Sequence, residues 1–263
     1  MRSNEHDNDI RDSDTSGAPV RHWRSLCKIS RRFLGFSADT VQVESPFQAI
    51  LDYERAHNIP IGWVNFSISR AAPNGSWQQL ERGEIKLDKE FFSRFHDDLH
   101  RADLWAVFHE RRGSRTSPPP PLPQIDTEAL FWDMMRISRE PDRYMFPALK
   151  KLKASGRFLM GALSNTVIFP PGHPYNEDKI QLHSQFDFFV SSAHVGLRKP
   201  DPKIYELALS RANEVSSSRG GPQLKPGDVL FLDDIGQNLK AASQVGFRTL
   251  KVVLGKTKEA VQE

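Results

Sequence analysis

The sequence predicts an α/β protein, a parallel sheet flanked by helices and carrying a long helical insert. Three observations predict it. Five apolar runs have strand length: "RFLGF" (32–36), "FLMGALSN" (158–165), "FDFFVSSAHV" (186–195), "DVLFL" (228–232) and "FRTLKVVL" (247–254). Segments of helical period, "DPKIYELALSRANEV" and "NLKAASQV", separate the last three. Strands alternating with helices imply parallel pairing through right-handed crossovers. Between the first and second runs the chain reads mainly as helix, so the economical arrangement is a cap inserted after strand one.

Taken in order, residues 1–30 are expected to form a disordered tail, because the first stretch, "MRSNEHDNDIRDSDTSG", is polar and poor in apolar residues. Basic residues (Arg21, Arg24, Lys28, Arg31, Arg32) follow and read as a solvated approach to the first strand rather than a nucleic-acid or membrane patch. Core segments are expected over 31–45 and 150–263, and the cap over 46–149. "SPFQAILDYERAHN" opens the cap with Ser45 as N-cap and Pro46 at N1. "KEFFSRFHDDLHRADLWAVFHERR" continues the helical period. "RTSPPPPLPQ" interrupts it as an extended surface loop, with an SH3-type ligand as the alternative. Helices resume in "TEALFWDMMRIS" and "DRYMFPALKKLKAS".

Composition narrows the function class. The chain has 263 residues, 38% of them hydrophobic, with 5 Trp and 17 Phe, enough for a packed core. Its 36 basic and 33 acidic residues leave a formal charge of only +3, which gives no argument for nucleic acid. Cys27 is the single cysteine, so neither an intramolecular disulfide nor a thiolate metal site can form. No run approaches the ~18 apolar residues of a membrane helix, and the N-terminus is unlike a signal or transit peptide. A soluble, cytoplasmic protein is expected, with no membrane partner.

The polar residues that end the apolar runs carry the chemistry. "FLDDIGQNL" places Asp233 and Asp234 where a buried strand stops and a helix begins, the usual ligand edge of an open α/β sheet. Their hard oxygens suit Mg²⁺. "ALSNT" ends in Ser164 and Asn165, a hydroxyl and an amide able to donate to anionic oxygens. "VGLRKPDPKIY" sets Lys199 just before a Pro-started helix, where a fixed cation would neutralise phosphate charge. Alone, each feature has a plain structural reading as a turn cap, surface charge or helix cap. Together they form the inventory for phosphoryl transfer.

On these motifs the chain resembles the haloacid dehalogenase (HAD) superfamily, in the branch of the phosphatase domain of soluble epoxide hydrolases. "LSNT" is similar to the family's second motif, "GLRKPDPKIY" to its third and "FLDDIGQNLKAA" to its fourth; the cap stretch "SPFQAILDYERAHNIP…NGSWQQLERGEI" resembles the same branch. The resemblance runs from about Ser45 to Leu254. It implies a Rossmann-like core with a helical C1-type cap, Mg²⁺, and an aspartyl-phosphate mechanism on a small-molecule phosphate. Within it Lys199 serves catalysis and substrate binding, Ser164 and Asn165 bind substrate, and Asp39, Asp233 and Asp234 hold the metal.

The first motif departs from that pattern. Counting back from "SPF" without gaps puts Ser37 at the nucleophile position and Asp39 at that of the general acid/base. A serine there lacks a neighbouring base and removes one carboxylate from the metal. The rival register extends the strand through "FLGFSA", makes Asp39 the nucleophile and leaves no general acid. A misassigned start or splice junction is the third reading of the unfamiliar residues 1–36. Two functions follow: a Mg²⁺-dependent phosphatase with a degenerate first motif, or an impaired pseudoenzyme acting as phosphate-binding or scaffold protein. Dehalogenation would leave Asp233-Asp234 unexplained, and epoxide hydrolysis lacks a G-x-S-x-G elbow. Trp63, Phe66, Trp77 and Leu80 either line an apolar entrance or form the cap's own core. The nine histidines are scattered without ligand spacing.

Overall fold

The apolar runs form strands β1 (Arg32–Phe36), β2 (Phe158–Ser164), β3 (Phe188–Ser191), β4 (Val229–Asp233) and β5 (Arg248–Lys251). They make one all-parallel sheet in the order β3-β2-β1-β4-β5. The computed structural model describes residues 32–37, 46–113, 119–139, 141–176, 183–253 and 256–261. Residues Arg31–Gln262 group as one compact unit. The expected tail, the Ser45 cap and Asp39 lie outside the described residues.

Eleven helices accompany the sheet among these residues: α1 (Pro46–Ala56), α2 (Trp63–Ala71), α3 (Ser76–Glu81), α4 (Lys89–Leu99), α5 (Ala102–Arg111), α6 (Thr127–Ile137), α7 (Met145–Ala154), α8 (Ser192–Val195), α9 (Pro202–Ser218), α10 (Gly236–Gln244) and α11 (Thr257–Val261). Both faces of the sheet are buried, as parallel sheets require. Phe33, Leu163, Val190, Val229 and Phe231 pack with Ile204, Tyr205 and Ala208 of α9 and Leu239 and Ala242 of α10. Leu34, Phe36, Met160, Ala162, Leu230 and Leu232 alternate with them along the strands and are equally buried. Helix α7 packs against β2 and buries Met145 and Leu149.

Helices α1 to α6 share a separate hydrophobic core. Trp63, Phe91, Phe95, Trp105, Leu130 and Phe131 are buried in it, and Val167 and Phe169 from the loop after β2 join it. Trp63 meets Trp105 edge-on at 4.8 Å. Trp63 and Leu80 are sealed inside, with Phe66 and Trp77 packed against them. These four residues belong to this helical core, Phe66 and Trp77 at its partly exposed margin.

Three expected elements end differently. The long helical stretch 89–112 breaks at His100-Arg101: Asp88 caps the first helix, His100 closes it through bonds to the carbonyls of His96 and Asp97, and α5 starts afresh. The run "FDFFVSSAHV" is strand only to Ser191, after which "SAHV" turns helical as α8. The last strand stops at Lys251.

Candidate active site

Strand register brings the site together. Phe36 pairs with Leu232, so Ser37 and Asp233 come level at the carboxyl edge, where the Ser37 amide donates to the Leu232 carbonyl at 2.9 Å. By the two-residue alternation of strands, Ser37 follows Phe33 and Asp233 follows Phe231 onto the face covered by α9 and α10. Lys199 lies just ahead of α9, which begins with Pro202 at N1 and the Asp201 carboxylate accepting from the Lys203 amide. From there Lys199 Nζ donates to Ser37 Oγ at 2.6 Å and to Asp233 Oδ2 at 3.0 Å, and stands 5.7 Å from the Phe231 ring centre.

All three groups are buried: Ser37 is 1%, Lys199 2% and Asp233 0% exposed. Such burial costs several kcal/mol per ion and is tolerated only when the pair is close and the remaining polar positions are filled. Here they are. Asp233 Oδ1 accepts from the Ile235 amide at 2.8 Å, and Asn238 Nδ2 donates to both carboxylate oxygens at 3.3 and 3.1 Å. Behind them the Tyr205 hydroxyl donates to the Asn238 carbonyl at 2.9 Å. Burial first, and then the Asp233 carboxylate, push the Tyr205 phenol well above its ordinary range, so it remains a donor.

Asn165, the first residue beyond β2, clamps the lysine's backbone. Its Oδ1 accepts from the Lys199 amide at 2.8 Å and its Nδ2 donates to the Lys199 carbonyl at 3.2 Å. Ser164 is fully buried at the end of β2. Ser37, Asn165, Lys199 and Asp233 thus meet in one hydrogen-bonded group, with Ser164 and the half-buried Asp234 on the same sheet edge. Strand β1 stops at Phe36, and Ser37, the next residue, stands beside Lys199; Asp39, on which the rival register depends, lies outside the described residues.

The donor set fits Mg²⁺ in a restricted way. Asp233 and Asp234 supply hard carboxylate oxygens at this edge, and both Asp233 oxygens already accept hydrogen bonds from protein groups. Among the described residues no group of three or more His, Cys, Asp or Glu could hold a metal.

A cavity of about 250 Å³ is lined by Thr166, the residue after Asn165, with Val167, Phe169, Tyr175 and Phe189 as apolar wall and Ser191 and His194 among its polar residues; Ser37, Lys199 and Asp233 do not line it. His194 Nδ1 and Ser191 Oγ are 2.7 Å apart.

With this geometry established, known proteins can be compared. No family model matches the chain. A HAD-like family hydrolase from Porphyromonas gingivalis superposes with a TM-score of 0.50 at 18% identity, covering 89% of this chain and 100% of that one. The fold is therefore HAD-like. Relatives by sequence agree with the fold. The chain is 39% identical over 232 residues to bifunctional epoxide hydrolase 2 of Rattus norvegicus, covering 84% of this chain and 36% of the relative. It is 26% identical over 235 residues to acyl-CoA dehydrogenase family member 10 of Mus musculus, covering 88% and 18% respectively. It is 27% identical over 174 residues to the sesquiterpene phosphatase astK of Aspergillus oryzae, covering 65% and 69%. The chain therefore spans a minor part of the two mammalian relatives.

Residue spacing points to Lys199, which precedes a Pro-started helix, and to Asp233, which closes an apolar run, while Ser37 follows from the ungapped count of the HAD resemblance. It missed Asn238 and Tyr205. Asn238 stands five positions beyond Asp233, within the first turn of α10, which is a usable signal; Tyr205 reads simply as an apolar-face residue of α9.

Proposed function

We propose that this chain is a HAD-type phosphomonoester hydrolase of small organic phosphates, Mg²⁺-dependent and slowed by a degenerate first motif at Ser37. The observation that carries the reading is Lys199 Nζ bridging Ser37 and Asp233 at the end of two adjacent strands. In this reading the ammonium neutralises phosphate oxygens while Asn165 and Asp233 hold it in place, a preorganised charge of the kind phosphoryl transfer relies on. Asp234 would hold Mg²⁺, which when bound supplies charge neutralisation at the phosphate. The apolar wall of the neighbouring cavity suits an apolar alcohol, and the sesquiterpene phosphatase among the relatives supports that choice.

A second reading, phosphate binding without turnover, is favoured by the Ser37 contact itself. Lys199 donates to Ser37 Oγ and so cannot serve as the base that a serine nucleophile needs. Mg²⁺-dependent hydrolysis of p-nitrophenyl phosphate separates the two. Slow turnover is expected in the wild type, lost in Asp39→Asn and raised at least about a hundredfold in Ser37→Asp. An inert wild type with an active Ser37→Asp variant would establish the binding protein. Inactivity of both would remove the phosphatase reading altogether.

A further inference from the structure

Glu81 links the inserted helices to the segments that carry Lys199 and Asn165. Glu81 ends α3, and its Oε2 accepts a hydrogen bond from Arg198 Nε at 2.7 Å and forms an ion pair with Nη2 of the same guanidinium at 2.6 Å. The two side chains are 10% and 21% exposed, so this pair is largely out of water and worth more than a surface ion pair. The Glu81 carbonyl accepts from Ser192 Oγ at 2.5 Å. Ser192 is fully buried at the start of α8, and its Oγ accepts from the Thr166 amide at 2.8 Å. Arg198 precedes Lys199, and Thr166 follows Asn165. One cap residue therefore holds the neighbours of both members of the Lys199–Asn165 clamp.

We propose that Glu81 is a positioning residue, through which docking of the cap sets the placement of Lys199 and Asn165. One arm runs from the carboxylate to Arg198 and thence to Lys199. The other runs from the carbonyl to Ser192 and Thr166 and thence to Asn165. The two arms converge because Asn165 and Lys199 bind each other's polar groups. The functional side of this inference rests on the phosphate reading above; the mechanical side does not.

The test uses the full chain with Glu81→Gln, Arg198→Met and the double variant, and reads two quantities. The first is amide hydrogen exchange at Lys199 and Thr166, with Leu230 of β4 as the reference. The second is the dissociation constant for inorganic phosphate in the presence of Mg²⁺. Each single variant is expected to speed exchange at Lys199 about tenfold and weaken phosphate binding by a similar factor, with the double variant no worse than either single. The exchanged pair, Glu81→Arg with Arg198→Glu, is expected to recover most of the loss. Unchanged exchange at Lys199 overturns the proposal, as does an acceleration that extends equally to Leu230, which would mean a general loss of stability. A wild type that binds no phosphate, yet shows the Lys199 acceleration, would sink the phosphatase reading and leave the positioning role standing.

Discussion

His100 sits between two helices with both ring nitrogens occupied. Nδ1 lies 2.8 Å from the His96 carbonyl, and Nε2 accepts from the Ile125 amide at 3.1 Å. An Nε2 that accepts and an Nδ1 that donates describe the neutral ring. Burial, the largest influence, holds its pKa below the ordinary 6.5. The unfolded chain therefore takes up a proton near pH 6.5 that the folded one refuses, and stability falls as pH drops below that value. Denaturant unfolding at pH 7 and pH 5 should show this slope in the wild type and a shallower one in His100→Gln; equal slopes would contradict the assignment. Asp187 behaves in the opposite way. Burial pushes its carboxyl up, but bonds from Arg219, Lys153 and the Met160 amide outweigh that and hold it below 3.8. Its contribution is present above that pH and is lost only in stronger acid. Neither state was legible in sequence, where the histidines look scattered, because both depend on partners from other elements.

Among the elements, α3 shows where reading by period runs out. Its six residues, "SWQQLE", are too short to display a 3.6-residue repeat, yet this helix seats the cap on α8. Gly83 follows it with φ +67°, and a Cβ there would lie 2.2 Å from the Ala193 carbonyl oxygen. Gly83→Ala is thus expected to destabilise the protein by about 2 kcal/mol or more, from the left-handed backbone and the contact together. A thermal or denaturant melt unchanged by that substitution would show that the cap and α8 are not in contact in solution. The central strands and α9 were legible for other reasons. Strands β1, β2 and β4 are central and buried on both faces, so they read as unbroken apolar runs, and α9 announces itself with Asp201-Pro202. The break at His100-Arg101 was hidden, since apolar spacing continues across it and only the capping bonds mark it.

For the whole molecule, alternation of strand and helix was enough to imply the parallel sheet, and the polar run ends were enough to place the candidate site at its carboxyl edge. Which cap face meets that edge was not legible, because Glu81 and Arg198 are ordinary surface-type residues until the fold pairs them. Binding at the site must appear as stability of the folded unit. Phosphate with Mg²⁺ at a hundred times its dissociation constant should add about 2.7 kcal/mol, or about 5–10 °C in melting temperature for a domain of this size. The same addition should leave the melting temperature of Lys199→Met unmoved; an equal rise in both proteins would place the anion elsewhere. The sheet order also has a consequence in time. Leu34 of β1 pairs with Met160 on one side and Leu230 on the other, so the earliest strand to be synthesised is the central one. At ribosomal rates of roughly 5–20 residues per second, "RFLGF" waits on the order of ten seconds or more for both neighbours. During that wait an apolar segment with unsatisfied edges is exposed, which makes β1 the natural client segment for a chaperone and the first suspect wherever the nascent chain aggregates.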